Sequence, residues 1–379
     1  MSEVPKQNWF QENPLLACGI VFLLCFLFLE ISCRILVSAG LLKRDIYPYT
    51  TRPVFWAYVD PVVGMWRYPN RTFNHELDCV DEVYTTNSVG ARDVERSLTS
   101  DAGQRIVVLG DSVVEGLGSP NEDRMTNILE ERTGIEHLNF GTSGGFGTIQ
   151  EWLYYKAYAS KYTHSDVFVF ILPANDFTDN DVTKHANDLY RPYLRASKDT
   201  YEVFYPVEFE QRDQSIRNRW RVMFNGVGND IYVFNAIRLA IHTLKGHLVS
   251  AADSDKPPRK HASTYDDHSE QDLSHMLFAL DEIANLAGER SVYLFTVPTH
   301  RDANYAVAEG YQFKLVEELT AFANARDTVE YLDLLPSFLD YAAKKKITFH
   351  DFTLGCDLHW GRLGAEVAAG AVRDFVFAK

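Results

Sequence analysis

The stretch Arg105-Ile-Val-Val-Leu-Gly-Asp-Ser-Val-Val-Glu-Gly116 decides how this chain is read. Its first half is a short apolar, β-branched run, the pattern of a strand buried on both faces of a parallel sheet. At Gly110-Asp111-Ser112 the run breaks, and helix-like periodicity resumes through Met125 to Arg132. Ser112 is therefore expected at a strand-to-helix turn on the carboxyl edge of a sheet, where open α/β folds bind their ligands. A helix opening behind it would aim free N–H groups and a positive dipole end at charge developing near the hydroxyl. The same tripeptide also suits a plain helix start, with Ser112 as cap and Asp111 as turn residue.

Beyond Ser112 strands and helices alternate. Glu136-His-Leu-Asn-Phe-Gly141 is a second strand, followed by the glycine-rich turn Thr142-Ser-Gly-Gly-Phe-Gly147 and an aromatic-rich helix from Ile149 to Tyr162. Asp166 to Leu172 is a third strand, broken by Pro173-Ala-Asn-Asp176. Ser291 to Val297 and Val329 to Leu334 are the fourth and fifth, with a helix from Tyr311 to Ala325 between them. A helix from Gly364 to Phe377 closes the chain. This alternation predicts a three-layer α/β/α sandwich on a five-stranded parallel sheet with right-handed crossovers. The segment at about 177–274 is too long for one crossover. It is expected to hold a helix from Trp220 to Leu248 and a mobile loop from Ser250 to Ser263, as a cap or partner-facing subdomain.

The chain is long enough for a large core, and its formal charge of −15 offers no excess of Lys or Arg for nucleic acid. Leu15 to Leu29 is uninterrupted apolar sequence that continues through Glu30-Ile-Ser-Cys-Arg34 to Val37, long enough to cross a bilayer core of roughly 30 Å. A single-pass signal anchor, a cleaved signal peptide and a buried soluble helix are the three readings of it. Glu30 and Arg34, four apart, would pair on one helix face near an interface, with Trp9 and Phe10 at the other. Lys6 precedes the span while Arg34, Lys43 and Arg44 follow it, so the positive-inside rule taken literally puts the large domain inside. The layout is then a tail and membrane anchor helix (1–45), an irregular collar rich in Pro, Asn, Tyr and Asp (46–100), and a catalytic domain (101–379).

The strand ends assemble a chemistry. The segments after strands one, two, three and five carry Ser112, Gly144, Asn175 and Asp357-Leu-His359-Trp360, and all open at one edge of a parallel sheet. Acyl transfer needs that set: a hydroxyl, a base for its proton, a carboxylate to orient the base, and oxyanion donors. Singly, an Asn-Asp pair is an ordinary turn and an Asp-x-His an ordinary surface pair. No Cys/His spacing makes a zinc site, and no metal or cofactor is expected. The run Gly144-Gly-Phe-Gly147 lacks the Lys-Ser/Thr of a phosphate loop, Glu115 receives no catalytic role, and His137, His164, His242 and His247 are taken as surface or core residues.

On these residues the chain resembles the SGNH (GDSL-type) hydrolase superfamily, from about Ile106 to its end. Gly110-Asp111-Ser112 with Gly116 matches the first block, Asn139-Phe-Gly-Thr-Ser-Gly144 the second, Asn175-Asp176 the third, and Asp357 with His359 the last. The resemblance implies a flavodoxin-like fold, Ser112 as nucleophile, His359 as base, Asp357 as orienting acid, and an oxyanion hole from Ser112, Gly144 and Asn175. The anchor with its Glu-x-x-x-Arg end and Asn87-Ser-Val-Gly-Ala-Arg-Asp93 look like a bacterial membrane-tethered subgroup linked to cell-surface glycans. Two departures stand out: Pro173 replaces the usual glycine, and Asp357 lies two rather than three residues before the His. The Asp-x-His-Trp form is similar to that of the alginate acetylation proteins. The expected function is thus a serine esterase acting on an O-acylated, carbohydrate-class substrate at the cell surface, as one partner in a glycan assembly system. An O-acyltransferase and an inactive glycan-binding scaffold are the alternatives. The expected location is the cell membrane with the domain extracytoplasmic, where Cys79 and Cys356 would be free to pair.

Overall fold

Four runs rich in β-branched and aromatic residues meet the shorter Glu136–Asn139 in one sheet. The chain is described by a computed structural model over residues 9–42, 58–77, 79–101, 103–184, 190–198, 200–211, 228, 230–253 and 263–378. It opens with α1 (Trp9–Glu12) and α2 (Pro14–Ser38), followed by β1 (Tyr58–Asp60), β2 (Gly64–Trp66), β3 (Thr72–Leu77) and β4 (Val80–Thr85). Then come β5 (Arg105–Leu109), α3 (Ser112–Glu115), α4 (Met125–Thr133), β6 (Glu136–Asn139), α5 (Thr148–Ala157), β7 (Asp166–Ile171) and α6 (Pro173–Asp179). The insertion holds β8 (Tyr193–Ser197), β9 (Thr200–Phe204) and α7 (Tyr232–Asp253). The chain ends with α8 (Glu270–Ala287), β10 (Ser291–Thr296), α9 (His300–Glu309), α10 (Lys314–Asn324), β11 (Val329–Asp333), α11 (Leu335–Lys345) and α12 (Arg362–Phe377).

The sheet order is β11-β10-β7-β5-β6, every pair parallel. The order reverses between β5 and β7, which is the switch point where such sheets leave a crevice beyond the strand ends. Strands buried on both faces still alternate in direction. Val107, Leu109, Val167, Val169 and Leu294 point into one core, and Ile106, Val108, Phe168, Phe170 and Phe295 into the other. The helices α5, α8 and α10 fill the first layer, and α4 and α12 the second. The three-layer sandwich with a five-stranded parallel sheet is therefore as expected.

The chain divides into two compact units, 51–215 with 259–379, and 1–50 with 216–258. The second unit contains α2, a helix of 25 residues whose most apolar 18-residue window has a mean hydropathy of 2.6, long and apolar enough to cross a membrane. Its i,i+4 pair forms as expected, Arg34 Nε lying 2.8 Å from Glu30 Oε1.

Four expectations need correction. The collar is not irregular where it is described: β1–β2 and β3–β4 are antiparallel hairpins. Their alternation escapes a hydrophobicity count because polar residues, Arg67 and His75 among them, occupy buried positions. The helix behind Ser112 is a single turn, ended by Gly116 in the left-handed region at φ 72°, and α4 starts separately at Met125. The insertion is not one subdomain, since the β8–β9 hairpin belongs to the first unit and 216–258 to the second. Its helix runs from Tyr232 to Asp253, so Ser250–Asp253 are helical; Trp220 to Val227 and residues 254–262 lie outside the described residues.

Cys79 and Cys356 are joined by a disulfide with Cα atoms 5.7 Å apart, closing a loop across 277 residues. Cross-linking so distant a pair restricts the unfolded chain strongly. The Cys79→Ser/Cys356→Ser double variant is expected to lose about 2–5 kcal/mol of stability in denaturant unfolding. An unchanged transition midpoint would refute this.

Candidate active site

Ser112 is placed by its neighbour. Asp111 caps α3, its Oδ1 accepting the Val113 N–H at 2.9 Å, and its Oδ2 accepts from Asn175 Nδ2 at 2.9 Å. One buried carboxylate thus ties the turn after β5 to the turn after β7. Asn175 Oδ1 is buried with no hydrogen-bond partner among the described residues.

His359 stands on an irregular segment, yet it is held from several sides. Thr353 and Trp360 form an isolated antiparallel bridge, and the Trp360 ring stacks on Phe338 at 5.2 Å. The Trp360 carbonyl accepts from Ser119 Oγ at 3.0 Å, and Cys356 is bonded to Cys79. In this frame His359 Nε2 lies 2.8 Å from Ser112 Oγ, and Nδ1 makes a short contact with Asp357 Oδ1. Asp357 Oδ1 also accepts the His359 N–H at 3.0 Å.

Ser112, Asn175 and His359 line one cavity of about 410 Å³, whose walls include Val113, Leu172, Val297, Pro298, Phe349 and Trp360. Its size is that of a small-molecule site. Gly144 does not line it. That residue is exposed at φ +106°, and a Cβ there would stand 2.6 Å from the Met65 methyl. The Ser112 and Gly144 N–H groups donate to no protein acceptor among the described residues. His137 and His164 are buried within the body of the fold, the latter bonded to Tyr155 Oη at 2.9 Å.

Sequence reasoning passed over Glu115. Its side chain is fully buried, Arg67 Nη1 lies 3.2 Å from Oε1, and the Ser143 N–H donates to Oε2 in a short hydrogen bond. Arg67 also donates to the carbonyls of Gly141, at 2.8 Å, and Gly90, at 2.9 Å. Arg92 donates to the Gly116 and Ser119 carbonyls, both at 2.6 Å, and lies over the Tyr84 ring. The collar thereby fastens both the Ser112 turn and the loop that carries Gly144. Burial pulls the Arg67 and Arg92 guanidiniums below their usual range, opposed by the Glu115 carboxylate. In Glu115 itself burial pushes upward but the two arginines prevail, so it titrates below the usual carboxylate range. No signal in the sequence marked this pairing, because its partners lie 48 and 23 positions apart.

Glu115→Gln leaves two buried arginines without their counter-charge. Breaking one side of a buried pair typically costs about 3–5 kcal/mol. Chemical unfolding of this variant should show a loss of that order, and a loss below about 1 kcal/mol would contradict it.

A second group of buried acids lies behind Asp111. Burial pushes Asp111 up to about 6, while Glu151 and Asp176 are raised well above their ordinary values by burial and by the neighbouring carboxylates. Both Glu151 oxygens lack hydrogen-bond partners among the described residues. The folded chain therefore keeps protons that the unfolded chain releases near pH 4, so stability falls as pH rises above about 4, the share of Asp111 being complete near 6 and those of Glu151 and Asp176 continuing beyond it. Glu151→Gln removes one such proton. Thermal unfolding of the detergent-solubilised variant should show a higher Tm than the parent at pH 8, corresponding to at least about 1.4 kcal/mol of added stability, with the gap narrowing towards pH 4. Equal melting curves at pH 8 would sink the assignment.

No family profile and no curated protein matches the chain. Among solved structures it is similar to a lipase/acylhydrolase from Enterococcus faecalis, at 11% identity and a TM-score of 0.37, covering 72% of this chain and 95% of that one. It is also similar to a member of the lipolytic protein G-D-S-L family from Veillonella parvula DSM 2008, at 10% identity and a TM-score of 0.38, covering 73% of this chain and 100% of that one.

Proposed function

We propose that this protein is a membrane-anchored serine esterase of the SGNH type, acting outside the cytoplasm on an O-acylated, carbohydrate-class substrate. The observation that carries the reading is the 2.8 Å contact of His359 Nε2 with Ser112 Oγ, with Asp357 on the far side of the ring. His359 takes the Ser112 proton as Oγ attacks the ester carbonyl, and Asp357 holds the imidazole in the required tautomer. The oxyanion forms within reach of the turn that carries the free Ser112 N–H, beside Asn175, whose Nδ2 has one hydrogen left after Asp111. The resemblance also assigns Gly144 N–H to the hole, but Gly144 stands outside the cavity that Ser112, Asn175 and His359 line. His359 then gives its proton to the departing alcohol. Water, deprotonated by the same imidazole, releases the acid and restores Ser112. The apolar cavity walls suit the acyl group, and the substrate class follows from the resemblance of the anchor and the Asn87–Asp93 block.

The Cys79–Cys356 bridge supports placement in an oxidising compartment. It weighs against the literal charge count, whose asymmetry is small once Glu30 and Arg34 are paired. A reporter fused after Lys379 should be active outside the cytoplasm, and one active only inside would reverse the orientation.

Ser112→Ala and His359→Ala should each abolish turnover of short aryl esters, the double variant being no worse, because the groups act as a unit. Asn175→Ala should cost on the order of 100- to 1000-fold, since backbone donors remain. Full activity in Ser112→Ala would leave only the scaffold reading. Product analysis with a glycan acceptor separates release to water from transfer to a sugar hydroxyl.

A further inference from the structure

Helix α7 carries an apolar face that no described residue covers. Phe234, Ile237, Ile241 and Leu244 recur at three- and four-residue steps along one side and are exposed by 45, 50, 45 and 62%. The other side meets α2. Glu30 Oε2 accepts the Val233 N–H at 3.0 Å, Arg34 Nη2 donates to the Asp230 carbonyl at 2.9 Å, and the Arg34 guanidinium lies over the Tyr232 ring. One turn further along, the Phe234 and Phe26 rings are 6.2 Å apart. The opening of α7 therefore sits against α2 between the Glu30–Arg34 pair and Phe26.

We propose that the first turns of α7 lie in the bilayer interface, with Phe234, Ile237, Ile241 and Leu244 in contact with lipid and with a preference for anionic headgroups. The proposal rests on α2 being the membrane anchor. If the Glu30–Arg34 pair stands at the edge of the hydrocarbon, Phe26 lies about 6–12 Å deeper at 1.5 Å per residue. That matches the roughly 5–10 Å to which interfacial amphipathic helices sink their apolar faces. The uncovered stripe is then continuous with the exposed apolar surface of α2, and lipid is the occupant that covers both. Charge agrees. The whole chain has a net charge of −15, yet between Arg217 and Lys260 eight Lys and Arg stand against three acids. A basic segment in an otherwise acidic chain favours anionic lipid once it is brought near a membrane surface. The consequence is a second attachment of the protein to the bilayer, from a part of the chain some two hundred residues beyond the anchor.

Quenching of an environment-sensitive label in the full-length protein tests this. Cys18→Ala, Cys25→Ala and Cys33→Ala remove the free thiols and leave the disulfide. Single labels then go on Ile241→Cys, Leu244→Cys, Phe22→Cys as the anchor reference, and Leu98→Cys as the aqueous reference. The protein is reconstituted in vesicles of phosphatidylcholine with phosphatidylglycerol as minor component. Labels at 241 and 244 should be quenched by brominated acyl chains and several-fold less by iodide than the label at 98. Their shielding should weaken in pure phosphatidylcholine. Iodide access at 241 and 244 equal to that at 98, with 22 still quenched by lipid, overturns the proposal and leaves the anchor standing. Shielding from both reagents means that a second copy covers the stripe, and it also overturns the proposal. A label at 22 that lipid does not quench removes the anchor reading and this one with it. Unchanged shielding in pure phosphatidylcholine removes the role of anionic headgroups.

Discussion

Glu115, buried without solvent contact between the collar and the sheet-bearing body, is the charge on which the local structure depends. A carboxylate at full burial costs several kcal/mol unless it is paired and hydrogen-bonded. Here Arg67 supplies the counter-charge and the Ser143 N–H a short hydrogen bond, while Arg92 holds the carbonyls of the same turn. Glu115 sits three residues after Ser112 on a helix of a single turn. So short a helix has no cooperative stability of its own, and its geometry comes from what is fastened to it. The collar is therefore part of the site's construction, although none of its residues enters the cavity.

The site's location follows from topology. Strand order reverses between β5 and β7, the connections leave in opposite directions, and a crevice opens where Ser112 and Asn175 emerge. Asp111 spans that crevice with one carboxylate, bonded to α3 on one side and Asn175 on the other. His359 comes from a segment without regular hydrogen bonding. The disulfide, the Thr353–Trp360 bridge and the Trp360–Phe338 stack replace an element's rigidity there. A histidine held in this way keeps its position without a strand or helix beneath it.

The buried acids show the opposite strategy. Glu151 and Asp176 receive no counter-charge, and their burial is tolerated because the carboxyls stay protonated. Ion pairing on one side of the nucleophile turn and proton retention on the other leave Asp111 between two electrostatic regimes. Its own upward displacement follows from that position, with burial the larger cause.

The strands, the long apolar helix near the N-terminus and the order of the candidate site residues along the chain are legible in the sequence by itself. Each rests on a local pattern: continuous apolar runs, an apolar stretch of membrane length, and short blocks at strand ends. The parallel sheet then obliges those blocks to share an edge, which is why Ser112, Asn175 and His359 are brought to one cavity. The hairpins of the collar, the split of the insertion and the pairing of Glu115 were decided only by the tertiary structure. Their determinants are buried polar residues such as Arg67, Arg92 and His75, which a linear pattern counts as solvent-facing. Whether an arginine is a surface charge or the core of a network depends on what the fold sets against it, and that partner lies dozens of residues away.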